Sequence, residues 1–371
     1  MSAEGKPPAH DPEKREPVFA KDHAPNMTSG GYVLVPAKSI DAEQLMRFAD
    51  VVWPDRPRER ILATWWRRAA PEWAVAALDG KSGRMVGVCA GRPATWTIGG
   101  RVHPAVAICD WYVAPDHEGK LLGRRLLRRF ETPERLLYAF SMSEAAAAYL
   151  GRLGWVGPRA ANLLALPLPR LARLPLALLR PRGGLVIEEH VVAGGGMLGA
   201  LAAEFDRIAA NNTARAHMRR GGEEWAWRLS VCGERQYHVC LARRAGVPVG
   251  YAVVRRITPG ASRILGRHAG AIIADLVALD DDPALLRALV RDAVAVAARL
   301  QVTVVLMATT LAAHRRALVA SGFLSPGLPV VGRFLRRAAP IFMWSPRGPG
   351  AGLAAEDFMF TFADSDVDLA L

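Results

Sequence analysis

The sequence predicts an α/β chain of the α+β mixed-sheet kind, in which two tandem domains each set a mixed β-sheet against flanking helices. Three observations lead there. The 371 residues suit about two domains at roughly 100–200 residues each. Apolar residues make up 51% of the chain, enough for a core in both. One order of elements also occurs twice: a hairpin, a strand bearing Asp, a helix, a strand, and a helix that stops at glycine plus an aromatic residue. Asp110 precedes Gly154–Trp155 by about 45 residues, and Asp275 precedes Gly322–Phe323 by a similar interval.

The elements follow from local pattern. "YVLVPA" (32–37) reads as a strand, and "DAEQLMRFADVVW" has helical spacing behind an Asp cap. "RPRERILATWWRRAAP" is a second helix candidate. "WAVAALD" and "MVGVCAGRPATWTI" form a hairpin around "DGKSGR". "AVAICDWYV" is a strand, 119–130 a helix, "LLYAFSM" a strand, and "SEAAAAYLGRLG" a helix with a Ser cap and a Gly stop. The second half restarts with the strand "GLVIEEHVV" and the helix "GMLGALAAEFDRIAANN". "GEEWAWRLS" is helix-like, and a hairpin turns at "RAGVP". Then come the strand "AGAIIADLVAL", the strongly periodic helix "DPALLRALVRDAVAVAARL", the strand "VTVVLMAT" and the helix "AAHRRALVASGF".

This places a charged, Pro-rich tail at 1–30, expected to be disordered and lacking the apolar core of a signal peptide. The first domain covers 31–166, a Pro/Leu/Arg linker 167–184, the second domain 185–345 and a C-terminal tail 346–371. Leucine and arginine in the linker would suit an anionic membrane surface, but its prolines break any continuous amphipathic face, so that role is open but not favoured. No run of apolar residues is long enough to span a bilayer.

The formal charge is +13, nearly all from arginine; the lysines are Lys6, Lys14, Lys21, Lys38, Lys81 and Lys120. Such a balance points to an anionic partner or to base composition. Nucleic acid is not expected, because no recognised module and no basic cluster interleaved with aromatics occurs. Cys89, Cys109, Cys232 and Cys240 form no CxxC pair and sit in apolar runs, so they read as buried thiols of a cytoplasmic protein. His103, His190, His238 and His314 have no metal-ligand spacing, and no metal is expected.

The stretch "VAPDHEGKLLGRRLL" joins a strand to a helix through glycines. A helix start preceded by glycine offers unpaired N–H groups and the positive end of the dipole to a phosphate. Gly119 and Gly123 serve that need, and Lys120, Arg124 and Arg125 add positive charge. The second half has "LVALDDDPALLRALV", with Asp280 to Asp282 and no glycine, so it is not expected to bind phosphate.

In these residues the chain resembles the GNAT acyltransferase superfamily, whose motif is a valine, a proline two residues on, then Arg/Gln-x-x-Gly-x-Gly/Ala. Here it stands as Val113, Pro115, Glu118, Gly119, Lys120, Leu121 and Gly123, and the later Gly-aromatic pair as Gly154–Trp155. Over about residues 31–345 the chain is similar to tandem GNAT proteins, a group that includes many bacterial acyltransferases. The resemblance implies an acyl-CoA co-substrate, acetyl-CoA or another, bound at Tyr112, Val113, Glu118, Gly119, Lys120, Leu121, Leu122, Gly123 and Arg124. Two positions depart from the pattern: Glu118 puts a negative charge where the family prefers Arg or Gln, and Leu121 replaces the central glycine and is expected to crowd the phosphate cradle.

Amine acylation needs a base for the ammonium proton, a donor to the leaving thiolate, and a backbone N–H at the thioester carbonyl. The resemblance puts that N–H at or beside Val113. It puts the donor at Leu150, where a tyrosine is usual; Tyr149 is the neighbour, about 100° round the helix. Asp110 is the one carboxylate on the central strand. Strand alternation sets it on the face of Tyr112, opposite Cys109 and Trp111. It is a candidate base, or a structural carboxylate, and Asp275 repeats it in the half without the loop. His117 is expected to cap the turn. The expected function is therefore an N-acyltransferase, and an N-acetyltransferase first of all. The first domain would hold the acyl-CoA and the second would support the cleft of an amine acceptor the sequence does not identify. The alternatives are a catalytically silent tandem GNAT-fold binding or assembly protein, and a relative of enzymes that transfer aminoacyl groups from tRNA.

Overall fold

A computed structural model describes residues 31–54, 73–157, 161–168, 184–193, 198–211, 216–222, 224–226, 236–257, 259, 265 and 267–364. The tail 1–30, the helix candidate at 56–71, Cys232, most of the linker and part of "GEEWAWRLS" lie outside the described residues. The chain divides into two compact units, 1–92 with 109–131 and 93–108 with 132–371.

The first unit begins with β1 (Tyr32–Pro36), followed by α1 (Ala42–Val52). The Asp41 carboxylate caps α1 by accepting from the Gln44 amide at 2.6 Å, the cap read from sequence. β2 (Ala74–Asp79) pairs antiparallel with β1 and with the start of β3 (Met85–Ile98). The turn between them is tied by Asp79, which accepts from both the amide and the hydroxyl of Ser82. β4 (Arg101–Val113) runs into a short 3₁₀ turn, Pro115–His117, and then α2 (Leu122–Arg128). The helix is shorter than the sequence reading of 119–130. The core of this unit packs Leu45, Phe48 and Trp53 of the α1 region on Ala74, Ala76, Val88 and Ala90.

The second unit takes in the outer parts of β3 and β4. β5 (Leu136–Phe140) lies parallel to β4, and α3 (Glu144–Arg152) follows with Ser143 as its cap. The chain continues through β6 (Asn162–Pro167), β7 (Leu185–Ala193), α4 (Leu198–Asn211), β8 (Ala216–Met218), β9 (Gln236–Arg244), β10 (Val247–Ile257) and β11 (Gly270–Ala278). Then come α5 (Pro283–Arg299), β12 (Val304–Thr309), α6 (Ala312–Ala320), α7 (Val331–Ala338), β13 (Phe342–Trp344) and β14 (Phe358–Met359). The β9–β10 turn has positive φ at Ala245 and Gly246, the geometry of a tight hairpin turn.

The strands form an eight-stranded and a six-stranded mixed sheet. The six-stranded sheet runs β6-β12-β11-β10-β9-β7. One face packs on Leu285, Leu289 and Val290 of α5 and Leu318 of α6. The other packs on Leu201 and Phe205 of α4, Leu335 of α7 and Phe362.

Two pairings cross between the repeated halves. β6, which follows the first α-β-α passage, pairs antiparallel with β12 of the second half. β13, which follows the second, pairs antiparallel with β5 of the first. Each half thus supplies the strand that completes the other's sheet. Nothing local in the sequence marks this exchange.

The segment 346–364, read from sequence as part of a C-terminal tail, is built into the fold. Phe358 and Phe360 are fully buried among Trp96, Tyr138, Phe342 and Trp344. Asp364, also fully buried, binds Arg220.

Candidate functional site

Asp110 breaks β4. Its φ is +41°, a left-handed conformation uncommon for a residue with a side chain. The interruption changes the alternation expected from sequence. Cys109 and Tyr112 both face the α1 core, and Tyr112 meets Trp53 edge to face at 4.8 Å between centroids. A regular strand would put those two on opposite faces. Trp111 goes to the other side, onto α2. The equivalent place in the second half is also irregular: Val253 pairs with Asp275 and Val254 with Ile273, which leaves Ala274 unpaired in β11. The carboxylate of Asp110, together with burial, pushes the Cys89 thiol well above its ordinary pKa; burial is the larger cause.

The loop from β4 to α2 carries Glu118, Gly119, Lys120 and Leu121, all exposed. Gly119 has φ +74° and Leu121 φ +58°. Leu121, on this left-handed backbone, has a side chain that is 62% exposed. Leu121 sits at the N-cap of α2 and contributes no side-chain cap. The first intrahelical bond runs from the Arg125 amide to the Leu121 carbonyl. The amides of Leu122, Gly123 and Arg124 therefore have no acceptor within the helix. Lys120 reaches back to the Asp116 carbonyl at 2.9 Å. His117 Nδ1 pairs with the Tyr32 hydroxyl of β1 at 2.9 Å, and the 115–117 turn has no side-chain cap.

Gly123 has a packing reason. The Trp111 indole lies against it, with Nε1 donating to the Gly123 carbonyl at 3.0 Å. A Cβ at 123 would come within 3.2 Å of Trp111 Cζ2. Sequence reasoning assigned this glycine to phosphate approach and missed the indole; the glycine twelve residues after a strand tryptophan was the only signal. Beside the loop, a cavity of ≈ 230 Å³ opens between α1, the β2–β3 turn and residues 114–117, with Arg47, Arg84 and His117 in its lining.

The equivalent helix start in the second half is filled by the chain itself. Asp282 Oδ1 accepts from the amides of Ala284 and Leu285 at 2.9 and 3.3 Å, and Oδ2 from Arg244 at 3.0 Å. The Arg244 guanidinium, ahead of the two amides, holds this carboxyl below the usual range. An internal carboxylate thus occupies the free amides of this helix start. Asp275 is fully buried, accepts from the Tyr251 and Thr361 hydroxyls, each at 2.9 Å, and forms an ion pair with Arg220 at 2.9 Å.

In α3, Leu150 is buried in the core, while Tyr149 is half-buried with the Arg152 guanidinium 5.4 Å from its ring centroid. Among the described residues no three His, Cys, Asp or Glu side chains are grouped to hold a metal, and no helix is long and apolar enough to cross a membrane.

Residues 35–156 match the family model described as acetyltransferase (GNAT) domain. No curated protein matches the chain. Among solved structures, a GCN5-related N-acetyltransferase from Kribbella flavida is 16% identical, with a TM-score of 0.51 over 86% of this chain and 72% of that one. A GCN5-related N-acetyltransferase from Anabaena variabilis is 12% identical, with a TM-score of 0.50 over 84% and 72%. The N-myristoyltransferase of Saccharomyces cerevisiae, with bound myristoyl-CoA, is 13% identical, with a TM-score of 0.51 over 90% and 82%. Residues 35–156 thus resemble a GNAT acetyltransferase domain, and the chain shares its fold with GCN5-related N-acetyltransferases and N-myristoyltransferase.

Proposed function

We propose that this chain transfers an acyl group from an acyl-CoA thioester to an amine, with the pyrophosphate held by Glu118–Arg124. The observation that carries the reading is the contrast between two equivalent helix starts. At α5 the Asp282 carboxylate occupies the free amides, whereas the N-cap of α2 is Leu121, which offers no side-chain cap. The matched GNAT domain supports acyl transfer in general.

In this reading the main chain of Gly119, Leu121, Leu122 and Gly123 faces the phosphates, and Lys120 and Arg124 add charge. Glu118 is exposed, so water screens its repulsion. Tyr112 and Val113 provide the strand along which the thioester arm lies, and the N–H at Val113 polarises the carbonyl. The amine nitrogen attacks that carbonyl, Asp110 takes the ammonium proton, and the carbon–sulfur bond breaks. The departing thiolate takes up a proton, leaving an amide and free CoA.

Thermal unfolding with acetyl-CoA, beside Arg124→Glu, tests the reading. At a hundred times the Kd, binding stabilises the native state by about 2.7 kcal/mol. The shift is expected in the wild type and lost in the variant; no shift with acetyl-, malonyl- or longer acyl-CoA overturns the proposal. A second reading, a silent GNAT-fold binding protein, is favoured by buried Leu150 at the place of the usual tyrosine donor. Acyl-CoA binding without thiol release across a panel of amines would select it.

A further inference from the structure

Three exposed apolar side chains of the second half fall close together in the chain. Val330 is 85% exposed, Phe334 55% and Leu328 41%. They lie on the turn before α7 and on α7 itself. Val331, Leu335 and Ala338 turn inward onto the core of the six-stranded sheet. Val330, Arg333, Phe334 and Arg337 fall on the opposite side, at the spacing of one helical face. Arg333, Arg336 and Arg337 are all exposed, and no Asp or Glu occurs from Ser321 to Pro340.

The turn that presents these side chains is fixed. The Gly332 amide donates to the Leu328 carbonyl at 2.8 Å. Arg336 binds the Pro326 carbonyl, and the Gly327 amide donates to the Ser325 hydroxyl at 3.0 Å. A Cβ at Gly332 would collide with the Pro326 carbonyl, so the turn lies flat on the helix. Leu328 and Val330 are therefore held outward by backbone geometry and not by chance of rotamer.

We propose that this face docks on an anionic lipid bilayer. Leu328, Val330 and Phe334 enter the boundary between headgroups and acyl chains, while Arg333 and Arg337 meet the lipid phosphates. The formal charge of +13 draws the chain to such a surface over a Debye length. A nucleic-acid backbone would use the arginines but leave the three apolar side chains in water. Acidic lipid uses both. The sequence reading considered a membrane surface for the linker, and α7 is a separate place in the chain. The proposal stands apart from the acyl-CoA reading, since it uses none of the same residues.

The test is co-sedimentation of the full chain with vesicles of phosphatidylcholine mixed with phosphatidylglycerol, against pure phosphatidylcholine. The wild type is expected to sediment with the mixed vesicles alone. Phe334→Ser is expected to weaken partition about tenfold, and Arg333→Glu with Arg337→Glu roughly thirtyfold or more. Arg267→Glu with Arg287→Glu reverses the same charge on exposed residues outside this face and is expected to bind nearly as the wild type. No sedimentation of the wild type overturns the proposal. So does wild-type binding by Phe334→Ser, or equal loss in the two double variants, because the total charge would then explain everything. Circular dichroism checks each variant's fold. If one unfolds, Phe334→Trp with bromine-labelled phosphatidylcholine in the mixed vesicles replaces it: extra quenching over the wild type supports docking, and none overturns it.

Discussion

The Trp111 indole covers Gly123, its Nε1 donating to the Gly123 carbonyl at 3.0 Å. This one contact ties the irregular end of β4 to the first turn of α2. Trp111→Ala removes the ring packing and the hydrogen bond together. Because the ring is half-buried, a loss of about 2 kcal/mol in urea unfolding is expected. Acetyl-CoA stabilisation is expected to fall as well, since the loop amides lose their support. An unchanged midpoint would show that the indole is not holding the helix start.

Asp282 caps α5 with both oxygens engaged. Asp282→Ala is expected to cost about 1 kcal/mol. Its carboxyl titrates below the ordinary range, chiefly because of Arg244. A lowered folded pKa gives stability that is present above the unfolded value near ~3.9 and lost as pH falls through the folded one. The wild type should therefore lose stability in acid more steeply than Asp282→Ala, and parallel pH profiles would contradict the assignment.

Arg220 stands between two fully buried carboxylates, Asp275 and Asp364. Arg220→Met leaves both without their cation, and a loss of roughly 3–5 kcal/mol is expected. Tyr251 donates to the same Asp275, and burial, then the Asp275 charge, raises its pKa well above the ordinary value. A raised folded pKa means its contribution is complete below the unfolded value near ~10 and lost as pH rises through the folded one. Ultraviolet titration should show Tyr251 ionising only when the chain unfolds in alkali; a reversible native ionisation near ~10 would refute the arrangement.

The exchange of β6 and β13 predicts how the chain can be cut. Residues 31–168 lack the strand that covers β5, and residues 184–371 lack the one that covers β12. Each piece alone should aggregate or remain unfolded, because it exposes a sheet edge. Expressed together, they should recover a complex with native circular dichroism. Two soluble, independently folded pieces would contradict the exchange.

Much of the fold was legible because its signals are local. The Asp41 and Ser143 caps, the Ala245–Gly246 turn and the glycine stops at Gly154 and Gly322 each act within a few residues. The bulges were not legible. An Asp at φ +41° looks in sequence like any strand residue, and counting by twos then sends Tyr112 to the wrong face. The left-handed backbone of Leu121 was hidden in the same way, since the sequence reading argued from side-chain size alone. The burial of Phe358, Phe360 and Asp364 rests on partners far away in sequence, such as Trp96 and Arg220. Of the site, the strand–loop–helix order was readable, while Trp111 on Gly123 and the self-capped α5 needed three dimensions.

The pairing of β13 with β5 also sets a timetable. β5 ends at Phe140, and its partner Phe342 leaves the ribosome about 200 residues later. At ~5–20 residues per second this is a wait of roughly ten to forty seconds. Throughout it the nascent first half carries an open edge beside Tyr138 and Phe140, so the growing chain is a natural client for chaperones that shield unpaired strands.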